Sequence, residues 1–144
     1  MKVSENSSEI KRVRDHVIGF EPPDICLIQF GETLTRDDSL ALLEEELRLA
    51  KEHGDIFVLV DFTRVRSITA EARKLSAETT SPPAILGVAN FGVSFQVRVL
   101  TKLVVSLRRL ARLPVEGLLY LGADEADARA WIARRKLELK QTRG

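Results

Sequence analysis

Ile56-Phe57-Val58-Leu59-Val60-Asp61-Phe62-Thr63 leads through Arg64-Val65-Arg66-Ser67 into Ile68-Thr69-Ala70-Glu71-Ala72. A continuous apolar run of strand length reads as a β-strand buried on both faces, as in a parallel sheet. Thr69 reads as the N-cap of a helix, with Glu71 in the first turn where the dipole favours an anion. A strand that ends in an acid and hands over to a helix puts Asp61, Thr63, Ser67 and Thr69 at one rim. Open α/β sheets keep their functional loops at the carboxyl ends of their strands.

Working outward, His16 to Phe20 and Ile25 to Phe30 read as two strands joined by the turn Glu21-Pro22-Pro23-Asp24. So short a connection implies an antiparallel pair. Thr35 caps a helix over residues 36–53, with Asp37 and Asp38 in its first turn and Gly54 as its stop. Leu40, Leu43, Leu47 and Ala50 are placed on its apolar face, and Asp37, Asp38 and Glu44 to Glu46 read as solvated charge on an exposed one. After the helix over 70–79, Ser81-Pro82-Pro83 breaks the chain. Ala84 to Ala89 is a small apolar strand, and Asn90-Phe91-Gly92 turns into a third helix ending near Arg112, before Pro114. Val115 to Leu121 is a strand, Asp124 caps a last helix, and Ala128, Trp131 and Ile132 face inward. The fold class is α/β: a single mixed, mainly parallel five-stranded sheet with four helices, in the order β-β-α-β-α-β-α-β-α. Residues 1–14 are expected to form a flexible arm, 15–140 the domain and 141–144 a tail.

The chain has 144 residues, 44% apolar and 30% charged, ordinary for one globular domain. No apolar run approaches the ~20 residues that span a bilayer. The first ten residues hold no apolar signal segment. With Cys26 as the one cysteine, no intramolecular disulfide forms, and cytoplasmic residence is the expectation. Cys26 lies in an apolar strand and reads as a buried, inert thiol. His16, Cys26 and His53 make no metal-ligand spacing, so no metal and no cofactor are expected.

The net charge of +1 hides an asymmetry: residues 21–61 carry 11 acids against 3 bases, and residues 79–115 carry 5 bases and no acid. Complementary charge of this kind favours encounter with a partner or with a second copy. A pI near 7.9 argues against nucleic acid. In the third helix, Phe95, Val97, Val99, Leu100, Leu103, Val104, Leu107, Leu110 and Ala111 fill nearly twice the arc that a helix needs to lie on a sheet. A neighbouring helix, a second copy, an apolar ligand or a membrane surface are the candidates to cover the surplus. A ligand groove would use Phe91, Phe95, Val99 and Leu103, between this helix and the second.

No phosphate-cradling Gly-rich loop and no nucleophile elbow is present. Asp61 is the lone acid at the rim and reads as a turn cap; an enzyme built on it is the remaining catalytic alternative.

These elements resemble the STAS fold, and more closely its SpoIIAA-like bacterial branch. The resemblance rests on Val60-Asp61-Phe62-Thr63, on Ile68-Thr69-Ala70-Glu71-Ala72-Arg73, on Asn90-Phe91-Gly92-Val93-Ser94-Phe95, and on Glu125-Ala126-Asp127-Ala128-Arg129-Ala130-Trp131. It implies a non-enzymatic signalling or protein-interaction module. In the anti-sigma-factor antagonists of the STAS family a serine capping the second helix is phosphorylated by a partner kinase. The matching cap is Thr69, with Ser67 two residues before it, but the family's Asp before the acceptor and Gly after it are missing here. The expected partner or switch surface is Asp61, Thr63, Ser67, Thr69, Asn90 and Ser94. The expected partner is a protein or a second copy, as a homodimer; the alternative is a carrier of a small apolar ligand or lipid.

Overall fold

All six residues of Ile56–Asp61 are buried, and this strand (β5) is the centre of the molecule. Ile56, Val58 and Val60 enter one apolar cluster, Phe57 and Leu59 the other. A central parallel strand with both faces covered requires such a run. We describe the structure from a computed structural model, which covers residues 3, 7–79, 82–112 and 119–143.

Around β5 the chain forms β1 (Ser8–Val13), β2 (His16–Glu21), β3 (Ile25–Gln29), β4 (Thr33–Leu34), α1 (Arg36–His53), β6 (Ser67–Ile68), α2 (Ala70–Glu78), β7 (Ile85–Phe91), α3 (Phe95–Leu110), β8 (Leu119–Leu121) and α4 (Glu125–Arg143). The main sheet has the order β1-β2-β3-β5-β7-β8, and β4 and β6 make a separate parallel pair. β1, β2 and β3 pair antiparallel; β3, β5, β7 and β8 pair parallel.

Among the described residues the sheet therefore has six strands, not five. The difference is Ser8–Val13, which lies in the expected arm but pairs with β2 from Val13↔His16 outward. Its sequence, Ser-Glu-Ile-Lys-Arg-Val, is too polar for an apolar pattern to reveal it. The expected strand from Val115 is described from Leu119 onward. Its first four residues, and the breakers Pro114 and Ser81, lie outside the described residues. So do residues 1, 2 and 4–6 of the arm, and Gly144 of the tail.

Right-handed crossovers put α1, α2 and α3 on one face of the sheet. Leu42 and Leu49 of α1 and Val97 of α3 belong to that cluster. Ala128 and Ile132 of α4 cover the opposite face with Val3. Gly87 makes room there: a Cβ on it would meet the Trp131 ring at 2.7 Å. Trp131 stacks on Tyr120, and the Tyr120 hydroxyl donates to Asp127.

The expected face of α1 is corrected. Leu40 and Leu47 are exposed, Leu43 is half-buried, and Asp38, Leu42, Leu49 and Ala50 are buried. Five leucines in ten residues offer two stripes on opposite sides of the helix, and Asp38 selects between them. Its carboxylate accepts from Arg14 Nε and Nη2 at 2.8 and 2.6 Å, and from the Thr35 N–H at 3.1 Å. His16 Nδ1 accepts from the Gly31 N–H, so Nε2 carries the proton and donates to Asp38 at 3.0 Å. This network holds residues 38, 42 and 49 toward the sheet. The Arg14 guanidinium, foremost, holds the Asp38 carboxyl well below the usual carboxylate range.

Glu46 is likewise not on the solvent face. It is half-buried on the sheet side of α1, and burial pushes its carboxyl up to about 7. Burial also lifts the Cys26 thiol well above its ordinary value, with Glu46 and Glu45 adding to the effect.

These two acids give pH dependences of opposite sign. Asp38 stabilises the fold above its unfolded value, and that stability is lost as pH falls below about 4. Asp38→Ala should cost about 2–4 kcal/mol at neutral pH in urea denaturation, because it takes the acceptor from the buried His16 Nε2 and from the part-buried Thr35 N–H. Glu46 is held neutral, so its contribution is present at low pH and lost as pH rises from 4.5 toward about 7. Glu46→Gln should flatten that part of the pH–stability curve.

Candidate docking surface

β3, β5 and β7 end flush, with Gln29 opposite Asp61 and Asp61 opposite Phe91. Their carboxyl ends form the rim. Asp61 Oδ1 accepts from the Thr63 N–H at 2.8 Å and from its hydroxyl at 2.7 Å, closing a tight turn. Gly92, at φ +71°, sits against that turn; a Cβ there would lie 2.3 Å from Thr63 Cγ2. The Phe62 N–H donates to the Phe91 carbonyl. The turns after β5 and β7 are thus packed together.

Asp61 and Asn90 are corrected as members of an exposed surface. They are only 2% and 4% exposed. Asp61 shapes the Thr63 turn. Asn90 Nδ2 donates to the Tyr120 carbonyl and the Asn90 carbonyl accepts from the Gly122 N–H, so Asn90 ties β7 to β8. Both support the rim from beneath. Polar strand-end residues look alike in sequence whether they point out or pin a neighbouring chain.

Thr63, Ser67 and Ser94 are exposed and Thr69 is half-buried. Thr69 Oγ1 accepts from the Ala72 N–H and Ser94 Oγ from the Val97 N–H, each at 3.2 Å, capping α2 and α3. Ser67 Oγ lies 3.1 Å from Thr33 Oγ1, in the β4–β6 pair that holds this corner. That small sheet is the part of the rim that sequence reasoning missed; two residues per strand leave no periodic signal.

From Ser94 the chain enters α3, whose apolar stripe faces outward. Phe95 and Leu110 are each 81% exposed, and Val99, Leu103 and Leu107 are exposed between them. Over about 22 Å this stripe lies outside both core clusters, with Leu103 and Leu107 turned toward α2. Arg98, Lys102, Arg109 and Arg112 lie exposed beside it. Phe91 does not join it. That ring is buried in the cluster under α4, on the other face of the sheet, so the expected four-residue groove is not formed. An open groove of about 450 Å³ instead runs between α2 and α3. Ala77, Leu103 and Leu107 line it, with Arg73 and Lys74 on its α2 side. Arg108 closes the inner side of this helix pair, donating to the Ser76 and Thr79 carbonyls.

Away from the rim, Glu9, Glu52 and His53 bring their donor atoms within 4.8 Å of one another. The Arg48 guanidinium pairs with both carboxylates, and the His53 ring stacks on Phe20. A cation of the protein's own thus occupies this cluster, which ties β1 to the end of α1. Among the described residues no helix is long and apolar enough to cross a membrane.

No family model matches the chain, and no curated protein matches it. Among solved structures it is similar to an uncharacterized protein of the DUF3478 family from Shewanella loihica PV-4. That protein is described as having a SpoIIAA-like fold. The two share 22% identity over 85% of this chain and 88% of that one, with a TM-score of 0.46. The description names the fold family that the sequence motifs resemble. At that TM-score the α/β assignment stands on this chain's own strand order and register.

The rim and the stripe separate by mutation. Ser94→Ala should cost about 1 kcal/mol through loss of the cap. Phe95→Ser should change stability by less than about 0.5 kcal/mol, because it removes no buried contact. Thermal denaturation of the two variants reads the difference.

Proposed function

We propose that this chain is a STAS-type interaction module that works by docking a protein partner on the face of α3 and the rim beside it. The observation that carries this reading is the exposed row Phe95, Val99, Leu103, Leu107 and Leu110 on a helix whose charges are all basic. Contiguous apolar surface rimmed by charge marks an interaction site. Each end of the surface is held by the fold: Ser94 caps the helix, and Arg108 ties it to α2. The exposed hydroxyls of Ser67 and Thr63 lie on the same rim, where a phosphate would add nearly two negative charges beside a basic helix.

The groove between α2 and α3 favours one second reading, a carrier of a small apolar ligand or lipid. Its size fits a ligand, but it is open along its length and charged on its α2 side by Arg73, Lys74 and Glu78, which suits a helix laid into it. An enzyme built on Asp61 has less support, since its Oδ1 already accepts two hydrogen bonds from Thr63.

The test is co-purification from the native host with wild-type and Leu103→Asp baits of equal thermal stability. The wild type should retain a protein that Leu103→Asp loses by about tenfold or more. Retention of the same protein by both baits would refute the surface. A small apolar molecule found by native mass spectrometry on the wild type alone would favour the carrier.

A further inference from the structure

α2 touches both α1 and α3 on one face of the sheet, so the outward sides of three helices form one surface. Each of the three starts at the rim and ends at the opposite edge, because each links the carboxyl end of one parallel strand to the start of the next. They therefore run in the same direction. On α3 the outward side is apolar and basic. On α1 it is apolar and acidic from Asp37 to Leu47, where the exposed Leu40 and Leu47 lie beside the exposed Asp37 and Glu44.

Resting on the docking reading above, we infer that the partner is a second copy of this chain, with α1 of each copy lying against α3 of the other. A two-fold axis running along α2, between the two helical layers, carries α1 onto α3 of the partner and keeps the helix directions parallel. In that register the first turns of the two helices lie side by side. Leu40 meets the level of Val99, and Leu47 the level of Leu107. Asp37 and Glu44 fall at the levels of Arg98 and Lys102. The same contact is made twice. On the axis, α2 presents the exposed Ala70, Glu71, Lys74 and Glu78, which are small or mixed in sign and hence self-compatible.

Helices of 16 and 18 residues, packed about 9 Å apart, give a face roughly 25 Å on a side, near the area one partner buries in a standard interface. The charge pattern explains why the occupant is this chain. The stripe on α3 calls for an apolar row flanked by acids, and α1 carries one two helices away.

Sedimentation velocity on the full chain tests the assignment. Wild type should show a concentration-dependent dimer. Lys102→Glu alone and Glu44→Lys alone should each raise its dissociation constant about tenfold or more. The two together in one chain should restore it, because each contact then carries the opposite pair. Leu40→Asp should abolish the dimer while the dilute monomer stays folded, since Leu40 enters neither core cluster. A monomer at several hundred micromolar, or a dimer indifferent to all four variants, would overturn the inference. A monomer whose co-purified protein is still lost on Leu103→Asp would overturn this inference alone and leave the docking surface standing with a different protein on it.

Discussion

A single buried carboxylate sets the rotation of α1, and much of the exposed chemistry follows from it. Asp38 is held by Arg14, His16 and the Thr35 N–H in one cluster. An acid taken out of water must find such partners or give up its charge. Once Asp38 points to the sheet, Leu42 and Leu49 follow it into the core, and Leu40 and Leu47 are turned outward. The electrostatics of one corner thus decide which leucines are spent on stability and which remain available for association. His16 takes part as a positioned donor: its Nδ1 is occupied by a backbone N–H, so it is not poised as a base.

The rim divides its labour in the same way. Asp61 and Asn90 organise turns from below, and Thr63, Ser67 and Ser94 are left at the surface. Gly92 allows the turns after β5 and β7 to touch. A site built like this is rigid underneath and polar on top, and it leads without a break into the apolar row on α3. The chemistry suits recognition: hydroxyls and cations around an apolar strip, with the buried acid already used structurally.

Much of this was legible in the sequence, and the failures have physical causes. The buried run Ile56–Asp61, the cap at Thr69 and the inward Trp131 could be read because each depends on local pattern or local hydrogen bonding. The surplus apolar arc of α3 could also be read, since it exceeds what a sheet can cover. β1 was hidden, because an edge strand with one wet side needs few apolar residues. The face of α1 was ambiguous until Arg14 and His16, more than twenty residues away, were brought to Asp38. Phe91 was misplaced because alternate residues of a strand go to opposite faces, and the β5–β7 register, with its irregularity between Ile56 and Phe57, sets which. Long-range partners and strand register are what a linear pattern leaves out.

The irregularity in β1 carries one more consequence. Its pairing with β2 shifts between Ser8 and Lys11, and Glu9 there adopts a left-handed backbone at φ +54°. A bulge with charged neighbours spoils the straight ladder of donors and acceptors that an incoming strand would need. The outer border of the sheet is thereby made a poor template for extension into a continuous intermolecular sheet. Copies of this protein held at high concentration are guarded along that border against the fibrous association to which flat, apolar edges are prone.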